Sequence, residues 1–171
     1  MIIGLHGSDQ VGKEIAAKVL TEKYGFKRFA FADKLQRICN LLQEELGVTK
    51  EVDATTEWGA SLGKLGRSLE KDVWIKPLGK LHEEDPEANI VVTDVCYLNE
   101  AKYITERGGI IIKIDRPDKT PSDTYGVDLT DRILSLALDY YVGEQTVVVN
   151  NVEDLEAKIE VAVLSREKTH E

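Results

Sequence analysis

The chain opens Met1-Ile2-Ile3-Gly4-Leu5-His6-Gly7-Ser8-Asp9-Gln10-Val11-Gly12-Lys13-Glu14. An apolar run of strand character leads directly into the spacing G-x-x-x-x-G-K, from Gly7 to Gly12-Lys13. Between a strand and a helix, such a loop turns backbone N–H groups toward a polyphosphate, and its lysine reaches the β and γ oxygens. The positive end of the following helix adds to the same field. Gly7, Ser8, Asp9, Gln10, Val11, Gly12, Lys13 and Glu14 are therefore the expected phosphate-binding loop. Glu14 departs from the common pattern, standing where Ser or Thr usually offers Mg²⁺ a hydroxyl. A chance glycine-rich turn is the competing reading. Position between a first strand and an amphipathic helix favours the phosphate loop.

Downstream of the loop, short apolar runs alternate with helical patterns. Ile15, Ala16, Val19 and Leu20 form a stripe that stops near Gly25, a helix cap. Phe29-Ala30-Phe31-Ala32 reads as a second strand ending at Asp33, and Leu35, Ile38, Cys39, Leu42 and Leu46 share a helical face that stops at Gly47. Residues 49–87 read as helical, with one stripe of Trp58, Leu62, Leu65 and Leu69 and another of Val73, Trp74, Leu78 and Leu81. Pro77 should bend or restart the second of these helices, because it has no N–H to donate and crowds the preceding turn. Ile90-Val91-Val92-Thr93-Asp94 predicts a third strand, 98–107 a helix, and Ile110-Ile111-Ile112-Lys113-Ile114 a fourth strand. A loop over 116–128, a helix over 130–141, a strand over 146–149 and a helix from about Val152 complete the pattern.

Strands alternating with helices predict an α/β fold: a parallel sheet of about five strands with helices on both faces, in a single domain over 1–171. Ligands of such sheets bind at the carboxyl ends of the strands. Gly7, Asp33, Asp94 and Arg116 all fall at or just past predicted strand ends.

A length of 171 residues is enough for a proper core. No apolar run approaches the ~20 residues of a membrane span, and Met1 enters a strand-like segment with no basic leader, so a cytoplasmic protein is expected. The net charge of −9 argues against a general nucleic-acid binder. It leaves room for a small anionic substrate held by a few Arg and Lys residues. Cys39 and Cys96 lack metal-type spacing, and Cys39 reads as a buried free thiol.

Four positions beyond the loop carry candidate chemistry. Asp94 follows a β-branched strand and is a candidate Mg²⁺-shell carboxylate, with simple capping as the alternative. Asp33 could meet an acceptor or cap the helix from Lys34. Arg67 stands in Gly63-Lys64-Leu65-Gly66-Arg67-Ser68, in a lid-like insertion, beside Trp74; it is a candidate for an acceptor phosphate, with a solvated surface residue as the alternative. Arg116 is a candidate donor-side or lid guanidinium. His6, inside the first strand, reads as structural.

Taken together, the chain resembles the deoxynucleoside monophosphate kinases of bacteriophages, within the P-loop kinases. The resemblance covers nearly the whole chain: Ile2-Ile3-Gly4-Leu5-His6-Gly7, Gly12-Lys13, Tyr24-Gly25-Phe26, Phe29 to Asp33, Leu65-Gly66-Arg67, Asp72-Val73-Trp74, Asp94-Val95, Asn99-Glu100-Ala101, Gly108-Gly109, Arg116-Pro117, Asn150 and Asp154-Leu155. It implies a three-layer P-loop kinase fold with a helical acceptor-binding region over about 34–87 and a lid-like region over about 116–141. It also implies transfer of the ATP γ-phosphoryl to a deoxynucleoside 5′-monophosphate, with Mg²⁺. Lys13, Arg67 and Asp94 would be catalytic, Arg116 would join the ATP loop, and Asp33, Arg37, Arg67 and Trp74 would bind the acceptor. Glu14 and Asp94 would face the metal.

The sequence departs from the family at four places. Glu14 is one methylene longer than the usual Asp, Cys96 stands where an Arg is expected to bind phosphate, and Gln36 stands where Lys is common. The His-x-Ser-Glu-like stretch after the fourth strand appears only as Ser122-Asp123. Expected partners are small-molecule nucleotides, with a homodimer left open and neither nucleic acid nor membrane implied; a phage-encoded chain would work in the host cytoplasm. Two other readings keep the fold: a kinase of another small phosphorylated acceptor, such as dephospho-coenzyme A, and a non-catalytic nucleotide-binding homologue.

Overall fold

Every residue of the first strand, β1 (Ile2–His6), is buried, as befits a strand covered on both faces. The computed structural model describes residues 1–7, 11–50, 53–115, 146–148 and 152–167. The expected loop over 116–128, the lid-like region over 116–141 and the helix over 130–141 lie outside these residues, as do Ser8, Asp9, Gln10 and Arg116. After β1 come α1 (Lys13–Tyr24), β2 (Lys27–Phe29), α2 (Phe31–Leu46), α3 (Glu57–Leu69) and α4 (Lys76–Glu84). They are followed by β3 (Ile90–Val92), α5 (Leu98–Thr105), β4 (Ile110–Asp115), β5 (Thr146–Val148) and α6 (Val152–Glu167).

The described chain divides into two compact units, one of Met1–Arg28 with Ala88–Glu171, the other Phe29–Glu87. Among the described residues the sheet has five strands in the order β2-β3-β1-β4-β5. β3, β1, β4 and β5 pair in parallel, with Gly4 opposite Val92 on one side and Ile111 on the other. This is the α/β architecture that the alternating pattern predicts. On one face, Ile3 and Leu5 pack with Ala16, Ala17, Leu20, Leu155 and Ile159 of α1 and α6. Toward α5, Gly4 leaves the space taken by Ile104, Ile111 and Val95: a Cβ there would lie 2.6 Å from Ile111 Cδ1 and 2.9 Å from each of the other two. Ile15, expected in the buried stripe of α1, is 39% exposed; Ala17 takes its place.

The second unit corrects one expectation. The run Phe29-Ala30-Phe31-Ala32 is not a strand: β2 ends at Phe29 and α2 has begun by Phe31. The two rings meet edge to face across this corner, with centroids 5.4 Å apart, so the alternation marks a turn into a helix and not a pleat. The apolar stripe of α3 is largely exposed, with Leu62 half-buried and Leu69 81% exposed, so it is not the face that this helix buries. The buried face carries the glycines. Gly59 and Gly63 are the buried residues of α3, and Gly66 lies against the Trp74 ring. Pro77 stands in the first turn of α4, where its missing N–H costs nothing. Cys39 is fully buried, and desolvation, helped by the Asp53 carboxylate, pushes its thiol above the ordinary value.

A hydrogen-bonded turn starts α3. The Thr55 hydroxyl and amide and the Thr56 amide donate to Asp53 Oδ1, and Thr56 Oγ1 accepts from the Gly59 amide at 3.2 Å. These bonds, that from the Thr55 hydroxyl first, hold the Asp53 carboxyl below its usual pKa. Thr56→Ala should cost about 1 kcal/mol of stability, read as a shift of the urea midpoint. Because the folded pKa of Asp53 is depressed, its contribution is fully present above the unfolded value of about 3.9 and is lost as pH falls through the folded value. Asp53→Asn should flatten that acid limb of a stability–pH curve, and an unchanged limb would refute the assignment.

Candidate active site

Strand register sets the start of the candidate phosphate loop in the first unit. β1 pairs His6 with Lys113 of β4, so the next residue, Gly7, meets Ile114. Gly7 has φ of +145°, and a Cβ there would run into the Ile114 carbonyl oxygen. The chain can leave the sheet at this point, still touching β4, only without a side chain. It re-enters regular structure through Val11, which is buried, and Gly12, which has φ of +114° and caps α1. Leu155 of α6 closes over Gly12, its Cδ2 3.3 Å from where a Cβ would sit. Lys13, at the head of α1, folds back so that Nζ donates to the Gly7 carbonyl at 2.6 Å. The ammonium is thereby held at the first residue of the loop.

Asp94 follows β3 by two residues. The register of Gly4 with Val92, carried on, sets Asp94 level with His6, and the Val95 amide donates to the Leu5 carbonyl at 3.1 Å. His6 is buried, with Nδ1 2.8 Å from the Val95 carbonyl oxygen; this is the structural role its place in β1 implies. Glu100, also buried, accepts from the amides of Cys96 and Tyr97 at 2.8 and 3.0 Å. It thus clamps the turn that carries Asp94 and Cys96 into α5. The sequence signal for Glu100 was its place three residues after Tyr97, the capping-box spacing.

Glu14 lies in the first turn of α1, where the helix dipole favours a carboxylate. Its side chain is 71% exposed, and Oε1 lies 3.4 Å from Nη2 of Arg28 on β2. Sequence reasoning passed over Arg28. The cap at Gly25, which turns the chain back into β2 right after α1, was the signal available. Glu14 and Asp94 are hard oxygen donors of the kind Mg²⁺ takes, and among the described residues no three His, Cys, Asp or Glu gather into a metal-holding group. One or two carboxylates fit a cation that the nucleotide's own phosphates and waters largely coordinate.

The candidate acceptor residues belong to the second unit. Asp33 lies exposed in the first turn of α2, within the helix and not at a strand end; Arg37, four residues on, shares its helical face and is also exposed. Arg67, half-buried in the last turn of α3, lies along the glycine face, its Nη1 3.6 Å from where a Cβ on Gly63 would be. Trp74 is buried, and its indole N–H donates to the Gly63 carbonyl at 3.0 Å. A Cβ on Gly66 would come within 2.5 Å of its ring. Trp74 thus fixes the face of α3 that carries Arg67. Gln36 accepts from the Ala54 amide and donates to Asn40, each at 2.8 Å, so it ties the turn before α3 to α2.

Structures similar in fold include several kinases. Shikimate kinase from Aquifex aeolicus superposes with a TM-score of 0.59 at 14% identity, over 98% of both chains. Shikimate kinase from Acinetobacter baumannii, solved with shikimate, gives 0.54 at 18% identity over 96% of this chain and 93% of its own. Dephospho-CoA kinase from Campylobacter jejuni gives 0.52 at 12% identity, over 99% and 98%. With the loop geometry above, they make the fold that of the P-loop kinases. No family model matches the chain. The narrower assignment comes from sequence. A protein of Acanthamoeba polyphaga mimivirus named "Putative deoxynucleotide monophosphate kinase" is 32% identical over 152 residues, covering 73% of this chain and 79% of that protein. The chain belongs to the deoxynucleotide monophosphate kinase family.

Two substitutions test this geometry. Gly7→Ala should cost at least about 2 kcal/mol, through a backbone clash with β4 and a strained φ, and weaken ATP binding in parallel. Trp74→Phe should cost about 1–2 kcal/mol, since the Gly63 carbonyl loses its buried donor. Thermal melts read both; a Gly7→Ala protein with wild-type stability would overturn the close approach.

Proposed function

We propose that the protein transfers the γ-phosphoryl of ATP to a deoxynucleoside 5′-monophosphate, giving the diphosphate and ADP. The observation that carries this reading is the Gly7–Lys13 loop at the carboxyl end of β1, in a chain related to a deoxynucleotide monophosphate kinase. An oxygen of the acceptor's 5′-phosphate forms the new bond to the γ phosphorus as the bond to the β–γ bridging oxygen breaks. Such transfer asks little covalent chemistry of the protein and much charge neutralisation and alignment.

The loop amides would cradle the ATP phosphates, and the α1 dipole would favour them. Lys13 would exchange its bond to Gly7 for the β and γ oxygens and follow the charge as it shifts. Arg67, with Arg37 of the same unit, would neutralise the acceptor phosphate, and Asp33 would meet the acceptor nucleoside. Glu14 and Asp94 would hold Mg²⁺ directly or through water; the cation would supply neutralisation between phosphates. Arg116 would complete the donor side. A viral origin and host-cytoplasmic location belong to the same proposal, supported by the mimivirus relative; no helix among the described residues is long and apolar enough to cross a membrane.

An ADP-release assay over the four common deoxynucleoside monophosphates and their ribose counterparts tests the reading. Turnover with at least one deoxy acceptor is expected, and turnover only with dephospho-coenzyme A, or with none, would refute it. Lys13→Ala should lower kcat/KM by about 100-fold or more, through loss of charge stabilisation in the transition state. Arg67→Ala should raise KM for the monophosphate, by about 10-fold or more, while leaving ATP affinity close to wild type.

A further inference from the structure

We propose that Arg28 is a positioning residue of the donor loop: it neutralises Glu14 beside an incoming triphosphate and yields it when a divalent cation arrives. The inference rests on the donor role of the loop proposed above. Where a hydroxyl follows the loop lysine, as in most such loops, nothing there repels phosphate. Here the residue is Glu14, a carboxylate one position beyond Lys13. The helix terminus tolerates that charge while it stands alone. A triphosphate on the same terminus brings several more negative charges, and like charges at close range weaken binding unless a cation lies between them.

The structure supplies that cation from the protein itself. Arg28 Nη2 is 3.4 Å from Glu14 Oε1, and both residues belong to the first unit. The guanidinium side chain is 41% exposed and the carboxylate 71%. A pair so open to solvent adds little to folding. It is correspondingly cheap to exchange, as a residue that must change partners when a metal–nucleotide arrives requires. A buried, bidentate pair would lock Glu14 away. An unpartnered carboxylate would oppose every approach of ATP.

The test is equilibrium binding of ATP by calorimetry, once in EDTA and once with saturating Mg²⁺. Arg28→Gln should weaken metal-free ATP binding by roughly 3- to 10-fold and binding with Mg²⁺ by less than about 2-fold. Arg28→Lys should recover most of the loss. Glu14→Gln should tighten metal-free binding, and in the Glu14→Gln background Arg28→Gln should have almost no further effect, which a purely structural role would not produce. Equal losses in EDTA and in Mg²⁺ would overturn the proposal, because Arg28 would then be touching the nucleotide itself. No loss in either condition would overturn it as well, leaving an idle surface pair. Wild-type protein that binds no ATP in either condition would instead remove the donor reading, and this inference with it.

Discussion

Gly7 is where the sheet stops and the loop begins, and both depend on its having no side chain. β1 runs between β3 and β4, and the register with β4 brings Gly7 against Ile114. Any Cβ would force the chain away from β4 before it could turn. Val11 would then lose its buried place, and Gly12 its left-handed entry into α1 under Leu155. The 2.6 Å bond from Lys13 to the Gly7 carbonyl closes the same ring of constraints from the other side. Three elements that are distant in sequence, β1, β4 and α6, therefore meet at the loop. These contacts fix the two ends of the glycine motif, Gly7 and Gly12.

Where a residue's own chemistry dictates its conformation, the sequence was readable. Gly25 and Gly47 end α1 and α2 in left-handed conformations, Pro77 restarts a helix, and the β-branched runs became β3 and β4. It was misleading where burial is achieved by what a residue lacks. Gly59, Gly63 and Gly66 recur at spacings of four and three, a helical face, but glycine carries no apolar signal. The apolar stripe of Trp58, Leu62, Leu65 and Leu69 is the more conspicuous helical face in the sequence. In the structure the smooth glycine face turns inward, and the indole of Trp74 lies on Gly66 and bonds to Gly63. β2 failed for the opposite reason. Its Lys27 and Arg28 are exposed, so it offers no buried periodicity, and the neighbouring aromatic alternation was more conspicuous.

The departures from the family pattern divide once their partners are known. Gln36, which stands where a cation is common, spends both ends of its amide inside the second unit, on Ala54 and Asn40. A lysine could donate to Asn40 but could not accept from the Ala54 amide, so glutamine suits a turn that must be tied down. Glu14 departs in charge, and Arg28 answers that charge locally. Cys96 is different. Glu100 holds its backbone amide in the turn after β3, so the path of the chain is secured whatever side chain stands there. A family arginine at this position would be an addition to that turn, and losing it leaves the fold intact while removing a cation.

This separation of scaffold from charge bears on how a kinase acquires its acceptor. The donor site proposed above draws mainly on backbone at a strand end and a helix terminus, with Lys13 as its main side chain. Such parts do not depend on the acceptor; shikimate and dephospho-CoA kinases are similar to this chain in fold at 12–18% identity to it. The candidate acceptor residues Asp33, Arg37 and Arg67 are side chains presented by helices of the second unit, Phe29–Glu87. Side chains can change without disturbing the sheet, provided that the helices presenting them stay fixed. The bonds of Gln36, Asp53, Thr56 and Trp74 do that fixing. Specificity can therefore drift at the exposed positions of this unit while its buried glycine face and the tryptophan against it stay constant. Relatives with different acceptors should differ most at positions such as 33 and 37 and least at 59, 63, 66 and 74.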